Sequence, residues 1–442
     1  MHNLEKMPED GILLPKNPAS KTRIFFELTE ALEKKEPLFV EGISDSLKSL
    51  LALGFRGKWI LYLCKTEERA KEILQDGKIF AENCLLFPAK DYLFYKADTR
   101  GNYISRERSE CLRQLVEEEE GMVVTTLPAM LEKLEGKNAF RQAVFTVQLG
   151  QTLALESLQD SLHSLGYQRV DQVESRGEYS LRGGILDVFS NQMEEPLRIE
   201  FFDDEVDSLR YFSLESQRSL EQVEEANIYP VSEQGKPSSL KAFSLLDYLP
   251  KDCLVIVDEP VRVLEEGKRV EEEFIAYFSQ RAEAEANQLE DKAISKKKGV
   301  KGRKKVEEGI NSILESENRE KDQRPLDLFS VRTLMEECAS RSIFFFSSLG
   351  GISEWSEVFK EPLKSISLEC REIPFYGKQF VQFKGDMEKY KKEKVRISLY
   401  SPSQSRASRL AEELRKEGLS AYCPDRLSED REEGEDTENA GS

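Results

Sequence analysis

Residues 37–51, PLFVEGISDSLKSLL, decide the fold expected for this chain. Apolar side chains dominate the run before Gly42, and Leu47, Leu50 and Leu51 follow at helical spacing. A buried strand that passes through a glycine-containing loop into a helix is the opening unit of phosphate-binding α/β folds. The stretch therefore predicts an α/β domain, and it raises the question of whether the loop binds a nucleotide.

Short apolar runs and helical patterns alternate through the N-terminal third. The runs expected to be buried strands are WILYLC (59–64), CLLFP (84–88) and MVVTT (122–126). Between them, residues 66–77 and 105–121 have the 3.6-residue apolar spacing of helices, and each pattern ends at a glycine. The alternation returns at CLVIVDEP (253–260), a long acidic helix expected from Val261, and SIFFFSS (342–348). This order predicts a parallel sheet with helices on both faces.

The loop at Gly42 falls one residue short of the Walker A pattern G-x-x-x-x-G-K-[ST], which binds phosphate. Gly42, Lys48 and Ser49 occupy the required offsets, but Leu47 stands where the second glycine belongs. That glycine lets the backbone curve around phosphate, whereas a bulky residue at positive φ costs roughly 1–2 kcal/mol. Leucine at this position predicts a loop that has lost nucleotide binding.

A working ATPase also requires acidic residues at the end of a later strand. Asp258 and Glu259 follow the apolar run LVIV, in the order expected for a Mg²⁺-binding acid and an acid beside the attacking water. Two half-motifs in the right strand context favour a vestigial nucleotide site, made of Gly42, Leu47, Lys48, Ser49, Asp258 and Glu259. Coincidence and a working site are the alternatives that the residues leave open.

Composition excludes several classes of binding and catalytic function. The 442 residues carry a formal charge of −19, which argues against a general positive field for nucleic acid. The sequence has two histidines, His2 and His163, so catalysis that depends on a histidine base or ligand is nearly excluded. Its seven cysteines are scattered without C-x-x-C spacing, which predicts reduced thiols and no zinc site. The few histidines and the cysteine spacing lead us to expect no metal centre. Since no apolar run has membrane-spanning length, we expect a cytoplasmic protein.

Residues 145–230 differ in pattern from the segments on either side. After one expected helix at 155–165 come short runs of partial apolar alternation, with turn residues at Gly183-Gly184. We predict a small β-rich domain inserted in the α/β protein. Within it, IEFFDDE (199–205) is interpreted as strand and turn rather than as a metal site.

The same block contains two long and specific motifs. RGEYSLRGGILDVF (176–189) is followed by PLRIEFFDDE (196–205), within a matching block that runs from Gly166 to Pro230. These motifs resemble the bacterial transcription-repair coupling factors and, more distantly, the inserted domain 2 of the excision-repair protein UvrB. The resemblance spans essentially the whole chain and weakens after Gln280 and at the C-terminus. It implies a degenerate RecA-like domain without ATPase activity, with domain 2 inserted and a small α/β unit following.

For domain 2, the resemblance implies recruitment of UvrA through a basic face. At the matching positions that face consists of Arg169, Arg182 and Arg198, with Arg176 as a weaker candidate. Arg198 alternates with apolar neighbours and is expected to point away from the domain core. Guanidinium groups in so acidic a protein suggest carboxylates on the partner. The alternative is that these arginines pair within the domain, with Asp171, Glu178 or Asp187.

The resemblance also implies parts that this sequence does not contain. Family members continue into a domain that binds RNA polymerase, an ATP-driven DNA translocase and a C-terminal domain that masks the UvrA-binding face. Motor motifs are absent here, so we expect a truncated product, one half of a split protein or a fragment. Such a chain should bind UvrA constitutively. ATP, Mg²⁺, RNA polymerase and DNA would belong to the missing part, which predicts that this chain is not an enzyme and holds no cofactor.

The expected organisation has five parts. They are a degenerate RecA-like domain 1a at 1–144, the UvrA-binding domain 2 at 145–230, a domain 1b at 231–350 with a charged linker or hairpin at about 280–324, a domain-3-like α/β unit at 351–427, and an acidic disordered tail at 428–442. In the fourth part, residues 395–424 predict a strand, a helix capped by Ser401 or Ser403, and a second strand.

Two other functions stay open at this stage. One is an ATP-dependent DNA translocase component with a working nucleotide site. The other is a DNA-binding module that acts through the lysine-rich residues 296–305. Residues 91–112 leave no room for the hairpin with which UvrB engages damaged DNA, so damage verification is not expected.

Overall fold

The structure is a computed structural model that describes residues 22–423, apart from 56, 81–82, 91–99, 191, 232–242, 296–327, 372, 375, 378, 396 and 402. The predictions for the lysine-rich residues 296–305 and for the acidic tail at 428–442 lie outside the described residues, as does most of the first half of 91–112.

Strands and helices alternate as the sequence predicts. In chain order the strands are β1 (Leu38–Glu41), β2 (Trp59–Cys64), β3 (Cys84–Phe87), β4 (Gly121–Thr126), β5 (Phe145–Gln148), β6 (Gln168–Arg169), β7 (Glu178–Arg182), β8 (Ile185–Phe189), β9 (Leu197–Phe202), β10 (Glu205–Phe212), β11 (Ser219–Gln222), β12 (Glu225–Ile228), β13 (Leu254–Asp258), β14 (Ser342–Ser347) and β15 (Lys364–Ser367). The helices are α1 (Arg23–Lys34), α2 (Asp45–Ala52), α3 (Glu67–Phe80), α4 (Arg100–Glu117), α5 (Leu127–Met130), α6 (Lys137–Gln142), α7 (Leu155–Ser164), α8 (Leu245–Tyr248), α9 (Pro260–Ser295), α10 (Val331–Ala339), α11 (Phe380–Lys392) and α12 (Gln404–Lys416). A 3-10 helix covers Ser353–Val358.

A seven-stranded parallel sheet, in the order β15-β1-β14-β13-β2-β4-β3, forms the centre of the α/β part. All residues of β2 are buried because helices cover both faces of the sheet. Leu61 and Leu63 pack in the cluster on one face, while Tyr62 and Cys64 pack in the cluster on the other. The predicted α/β class with a parallel sheet is confirmed.

The β-rich part is a separate six-stranded sheet, in the order β11-β10-β9-β8-β7-β6. Its pairs are antiparallel except β6 with β7. Leu158 and Leu162 of α7 pack on one face, in a cluster that includes Leu186 and Ile199. Strands β5 and β12 pair with each other at the points where the chain enters and leaves this part. The predicted insertion of a small β-rich unit is confirmed.

Two predicted helix boundaries are wrong. Helix α3 continues past Gly77 to Phe80, and α4 ends at Glu117, before Gly121. A Cβ on Gly77 would lie 2.3 Å from the Sγ of Cys84, so this glycine lets α3 pack directly against β3. It serves close packing inside the helix rather than termination.

The long acidic helix extends further than the sequence predicts. Its backbone is helical from Pro260 to Ser295, so residues 280–295 of the expected linker or hairpin belong to α9. Alanine, glutamate and glutamine are frequent in that stretch, and their helix propensity supports a helix without an apolar stripe. Among the described residues, none of the helices combines the length and apolarity that crossing a membrane requires.

The last unit has a helix but not the expected strands. Ser403 caps α12 by accepting a hydrogen bond from the backbone N–H of Arg406, and Gly418 follows the helix with φ 84°. In the described part of residues 395–424, no ladder flanks this helix, so the predicted βαβ arrangement is wrong. The two stretches expected to be strands have the composition of strands, but a strand is stable only when it pairs with another strand in a sheet. Strand β15, also from this region, instead pairs with β1 in the α/β sheet.

Candidate partner-binding face and nucleotide-site remnant

The loop after β1 is shorter than a Walker A loop. Because α2 begins at Asp45, three residues separate strand from helix. Leu47 lies in the first turn of α2, where its amide and that of Lys48 donate to the Ser44 carbonyl at 3.0 and 3.1 Å. The expected problem of positive φ at Leu47 therefore does not arise. The loop differs from a phosphate loop because helix formation has taken up N–H groups that would point at phosphate.

Gly42 is required for a contact between backbones. Its φ is 73°, and a Cβ at this position would lie 2.1 Å from the carbonyl oxygen of Leu368. The chain leaving β15 crosses here, with the Leu368 amide donating to the Glu41 carbonyl at 2.9 Å. The glycine therefore accommodates the segment after β15.

Lys48 is fully buried and paired with both acids that the sequence singled out. Its Nζ lies 2.7 Å from Oδ1 of Asp258 and 2.5 Å from Oε1 of Glu259. Burial alone would lower the pKa of Lys48, but the two carboxylates outweigh it and raise that pKa. The structure thus brings Lys48, Asp258 and Glu259 together, as an internal ion cluster between the C-terminal end of β13 and the middle of α2.

Glu259 makes further hydrogen bonds within the cluster. Its carboxylate also accepts hydrogen bonds from the Ser348 amide at 2.8 Å and from the Ser347 hydroxyl at 3.1 Å. Burial raises the pKa of Glu259, yet hydrogen bonds from Lys48 and Ser348 lower it overall to about 2. Its backbone lies in the left-handed region, with φ 59°, so these bonds hold it in a strained position.

The remaining predicted residue, Ser49, lies apart from the cluster. Its hydroxyl donates to Oδ2 of Asp76 at 2.9 Å rather than facing Asp258. Sequence reasoning missed Asp76 and also Arg69, whose Nε lies 3.2 Å from Oδ2 of Asp258. Carboxylate oxygens of Asp45, Asp258 and Glu259 lie within 4.8 Å of one another, as metal ligands would. The ammonium group of Lys48 forms ion pairs with all three carboxylates, and the guanidinium of Arg69 supplies a second positive charge beside Asp45 and Asp258.

Glu259 should make stability depend on pH. Its pKa is about 2 in the folded chain and roughly 4.3 unfolded, so it contributes roughly 3 kcal/mol that is complete above about pH 5 and lost as the pH falls towards 2. We expect Glu259→Gln to lower the free energy of unfolding by about that amount at pH 7. Urea unfolding between pH 7 and pH 2.5 checks this, because the difference from wild type should shrink with acid. A difference independent of pH would contradict it.

In the β-rich sheet, two of the predicted arginines meet at one carboxylate. Asp187 of β8 is 2% exposed, and Arg182 of β7 approaches its Oδ2 with Nη2 at 2.9 Å. Arg198 of β9 approaches from the other side, with Nε 2.6 Å from Oδ1 and Nη2 2.8 Å from Oδ2. The alternative of pairing within the domain is therefore realised at Asp187.

These two arginines lie on the sheet face opposite α7. Asp187 pairs with Arg198 in the strand register, next to the row in which Leu186 pairs with Ile199 and faces the core. Arg198 therefore points away from the core, as predicted. Its side chain is nonetheless only 14% exposed and stacks on Phe212, with 4.3 Å from the guanidinium carbon to the ring centre.

The other two predicted arginines lie elsewhere. Arg169 is opposite Tyr179, a core residue, and its Nη1 lies 3.4 Å from Oε1 of Gln159 on α7. Arg176 donates through Nε and Nη2 to the Met193 carbonyl, at 3.0 and 2.8 Å. The family resemblance groups them with Arg182 and Arg198 in one basic face. The structure separates them, because Arg169 falls on the α7 side and Arg176 supports a loop.

Sequence reasoning missed several residues on the same face as Arg182. Arg210 of β10 is opposite Arg198 and forms an ion pair with Glu200 of β9. Ile185 and Phe202 are apolar side chains that are 36% and 74% exposed. Both lie at the end of the sheet with the turn at 183–184, since the Phe201 amide donates to the Gly184 carbonyl at 2.8 Å. The period-2 pattern of β9, extended to Phe202, was the available signal.

Comparison with known proteins identifies this part of the chain. Residues 145–233 match the model of the UvrB interaction domain. The chain carries an N-terminal, UvrB-like region similar to that of the transcription-repair coupling factors. It is 33% identical over 163 residues to the transcription-repair-coupling factor of Escherichia coli (strain K12), which is 37% of this chain and 14% of that protein.

Other transcription-repair-coupling factors match the chain at similar identity and coverage. The transcription-repair-coupling factor of Bacillus subtilis (strain 168) is 28% identical over 211 residues, which is 44% of this chain and 18% of that protein. That of Haemophilus influenzae (strain ATCC 51907 / DSM 11121 / KW20 / Rd) is 29% identical over 157 residues, covering 36% and 14%. The matches thus span less than a fifth of these relatives' lengths. The UvrB-like region contains Arg182, Asp187 and Arg198, whereas the Lys48 cluster lies outside residues 145–233.

Proposed function

We propose that this chain is a non-enzymatic interaction module of transcription-coupled excision repair that recruits UvrA. The observation that carries the proposal is the UvrB interaction domain at 145–233, with an arginine pair on the sheet face that α7 does not cover. The relatives are transcription-repair-coupling factors, which supports a setting in transcription-coupled repair. In that setting, RNA polymerase and DNA would be contacted by other parts of the full-length relatives.

The chemistry of the face supports an acidic partner. Arg182 is 52% exposed although it is anchored to Asp187, so its guanidinium is both fixed and accessible. A fixed guanidinium binds a carboxylate in a planar, bidentate geometry with little further loss of side-chain entropy. Ile185 and Phe202 add exposed apolar area at one end of the same face. An arginine beside exposed aromatic area is the usual composition of an interface centre.

The proposal that the chain lacks ATPase activity is supported by the Lys48 cluster. In a phosphate loop, the lysine must be free to meet phosphate, whereas Lys48 is fully buried against Asp258 and Glu259. Nucleotide binding would have to break that ion cluster and displace the segment at Leu368, which crosses over Gly42. We therefore interpret this region as the remnant of a nucleotide site whose fold is kept for structural reasons.

Nucleotide binding should be undetectable. A fluorescent ATP analogue titrated in the presence of Mg²⁺ is expected to give no saturable signal at micromolar concentrations. Leu47→Gly should not create one, because Leu47 is helical: the variant loses about 1 kcal/mol of helix propensity, together with the packing of Leu47 against the apolar cluster, and gains no phosphate loop. Saturable binding by the wild type would revive the interpretation as an ATP-dependent enzyme, particularly if Lys48→Ala removed it.

Binding to UvrA tests the proposed function itself. The intact chain should co-elute with purified UvrA in size-exclusion chromatography, without nucleotide. Failure to co-elute, combined with salt-sensitive binding to duplex DNA, would favour the DNA-binding module instead.

A further inference from the structure

The centre of the arginine face is a buried acid, not an arginine. Asp187 is 2% exposed, in the middle of β8, between β7 and β9. Its carboxylate accepts from Arg182 and Arg198, and it is the residue that the two arginines share. A buried carboxylate is costly unless such bonds compensate it, so this acid and its arginines hold one another in place.

The two arginines differ in what they can do for a partner. Arg198 gives Asp187 a two-point bond, stacks on Phe212 and is 14% exposed, so most of its surface is already used inside the domain. Arg182 makes one bond to Asp187, at 2.9 Å, and is 52% exposed. Arg198, the less exposed of the two, therefore fixes the Asp187 carboxylate, and Arg182 is the arginine that a partner can reach.

We propose that Asp187 is the positioning residue of the partner-binding face, which anchors Arg182 in the geometry that UvrA recognises. The inference rests on the proposed function, since it concerns how the same face binds. A free arginine side chain loses up to about 2 kcal/mol of rotamer entropy when it is fixed. Asp187 removes much of that cost before the partner arrives, which is the effect of preorganisation.

One substitution changes the affinity for UvrA in opposite directions, depending on whether Asp187 positions Arg182 or only contributes its charge. Asp187→Asn removes a negative charge beside two arginines, so the face becomes more positive. If net charge alone governed binding to an acidic partner, affinity for UvrA would rise. If Asp187 positions Arg182, affinity should fall, and we expect the Kd to increase about tenfold, or about 1.4 kcal/mol. Isothermal titration of purified UvrA into the intact chain measures this.

A double-mutant cycle tests whether the effect passes through Arg182. In an Arg182→Ala background, Asp187→Asn should change the Kd less than about twofold, because the anchored side chain is gone. An equal tenfold loss in both backgrounds would mean that Asp187 serves the fold alone and would overturn the inference. Unchanged or tighter binding by Asp187→Asn would also overturn it. Absence of binding by the wild type would instead reject the proposed function.

A second variant covers the case in which Asp187→Asn does not fold. Asp187→Leu combined with Arg198→Met removes both partners of the buried pair, an exchange that is often neutral for stability. Arg182 is then present without its anchor. We expect this folded variant to bind UvrA at least about tenfold more weakly than the wild type. Binding at wild-type strength would overturn the inference.

Discussion

Lys48→Met is expected to lower the free energy of unfolding of the α/β part by about 3–5 kcal/mol. The substitution removes the ammonium group that bonds to Glu259, and it leaves the Asp258 carboxylate, which is 2% exposed, with Arg69 as its remaining cation. Urea unfolding followed by tryptophan fluorescence is a suitable measurement, because both tryptophans, Trp59 and Trp355, are buried in the same core cluster of the α/β part. The urea concentration at the midpoint of unfolding should fall accordingly.

The matched control is Lys71→Met, which removes an exposed lysine from α3 in the same part of the fold. It should change the free energy of unfolding by less than about 0.5 kcal/mol. Equal effects of the two substitutions would contradict a structural ion cluster at Lys48. A stable Lys48→Met variant would point to a lysine held ready for a ligand.

Arg182→Glu is expected to weaken binding to UvrA by at least about thirtyfold, or about 2 kcal/mol. The new carboxylate would repel both Asp187 and an acidic partner surface, and it would remove the exposed guanidinium of the pair. Adding Arg198→Glu should abolish binding. Titration of UvrA at two salt concentrations measures the loss and its electrostatic share.

Two further charge reversals serve as controls for that result. Arg218→Glu changes an exposed arginine in the turn between β10 and β11, and Arg169→Glu changes one on the α7 side of the sheet. Both alter net charge by the same amount as Arg182→Glu. They therefore separate the effect of the arginine's position on UvrA binding from the effect of net charge. We expect changes below about threefold for each. A loss at Arg169 equal to that at Arg182 would place the partner on the α7 side.

The α/β architecture could be predicted because its signals are local. Continuous apolar runs such as WILYLC identify strands that are buried on both faces, and the structure has Trp59–Cys64 as β2, with those bounds. The β-rich insertion was predictable for the same reason, since Leu197 and Ile199 alternate with Arg198. Local periodicity does not reveal close packing between elements, and therefore Gly77 was misread as a helix end.

The Lys48 cluster was only half predictable. Spacing along the chain indicated Lys48, Asp258 and Glu259, and the three do meet. The physical reason for the altered loop was not predictable from Leu47. It depends on where α2 begins and on the crossing of Leu368 over Gly42, a contact between residues more than three hundred positions apart.

The arginine face shows the same limit for β-sheets. Motif positions single out four candidate arginines but do not show the face on which each lies, since that depends on strand register. Register places Arg169 beside Tyr179, on the α7 side, and places Arg198 beside Asp187 on the other. The sequence offers Asp187 only as one of several acids that could pair.

UvrA is proposed to bind the face of the inserted sheet that contains Arg182. Hydrogen–deuterium exchange of the intact chain, with and without UvrA, locates the bound surface without a substitution. The turns at 183–184 and 203–204 are exposed and flank that face, so their amides should exchange rapidly in the free chain. We predict that UvrA slows exchange in residues 182–186 and 200–205. Unchanged exchange there, with protection on α7 or on the α/β part, would contradict binding of UvrA at this face.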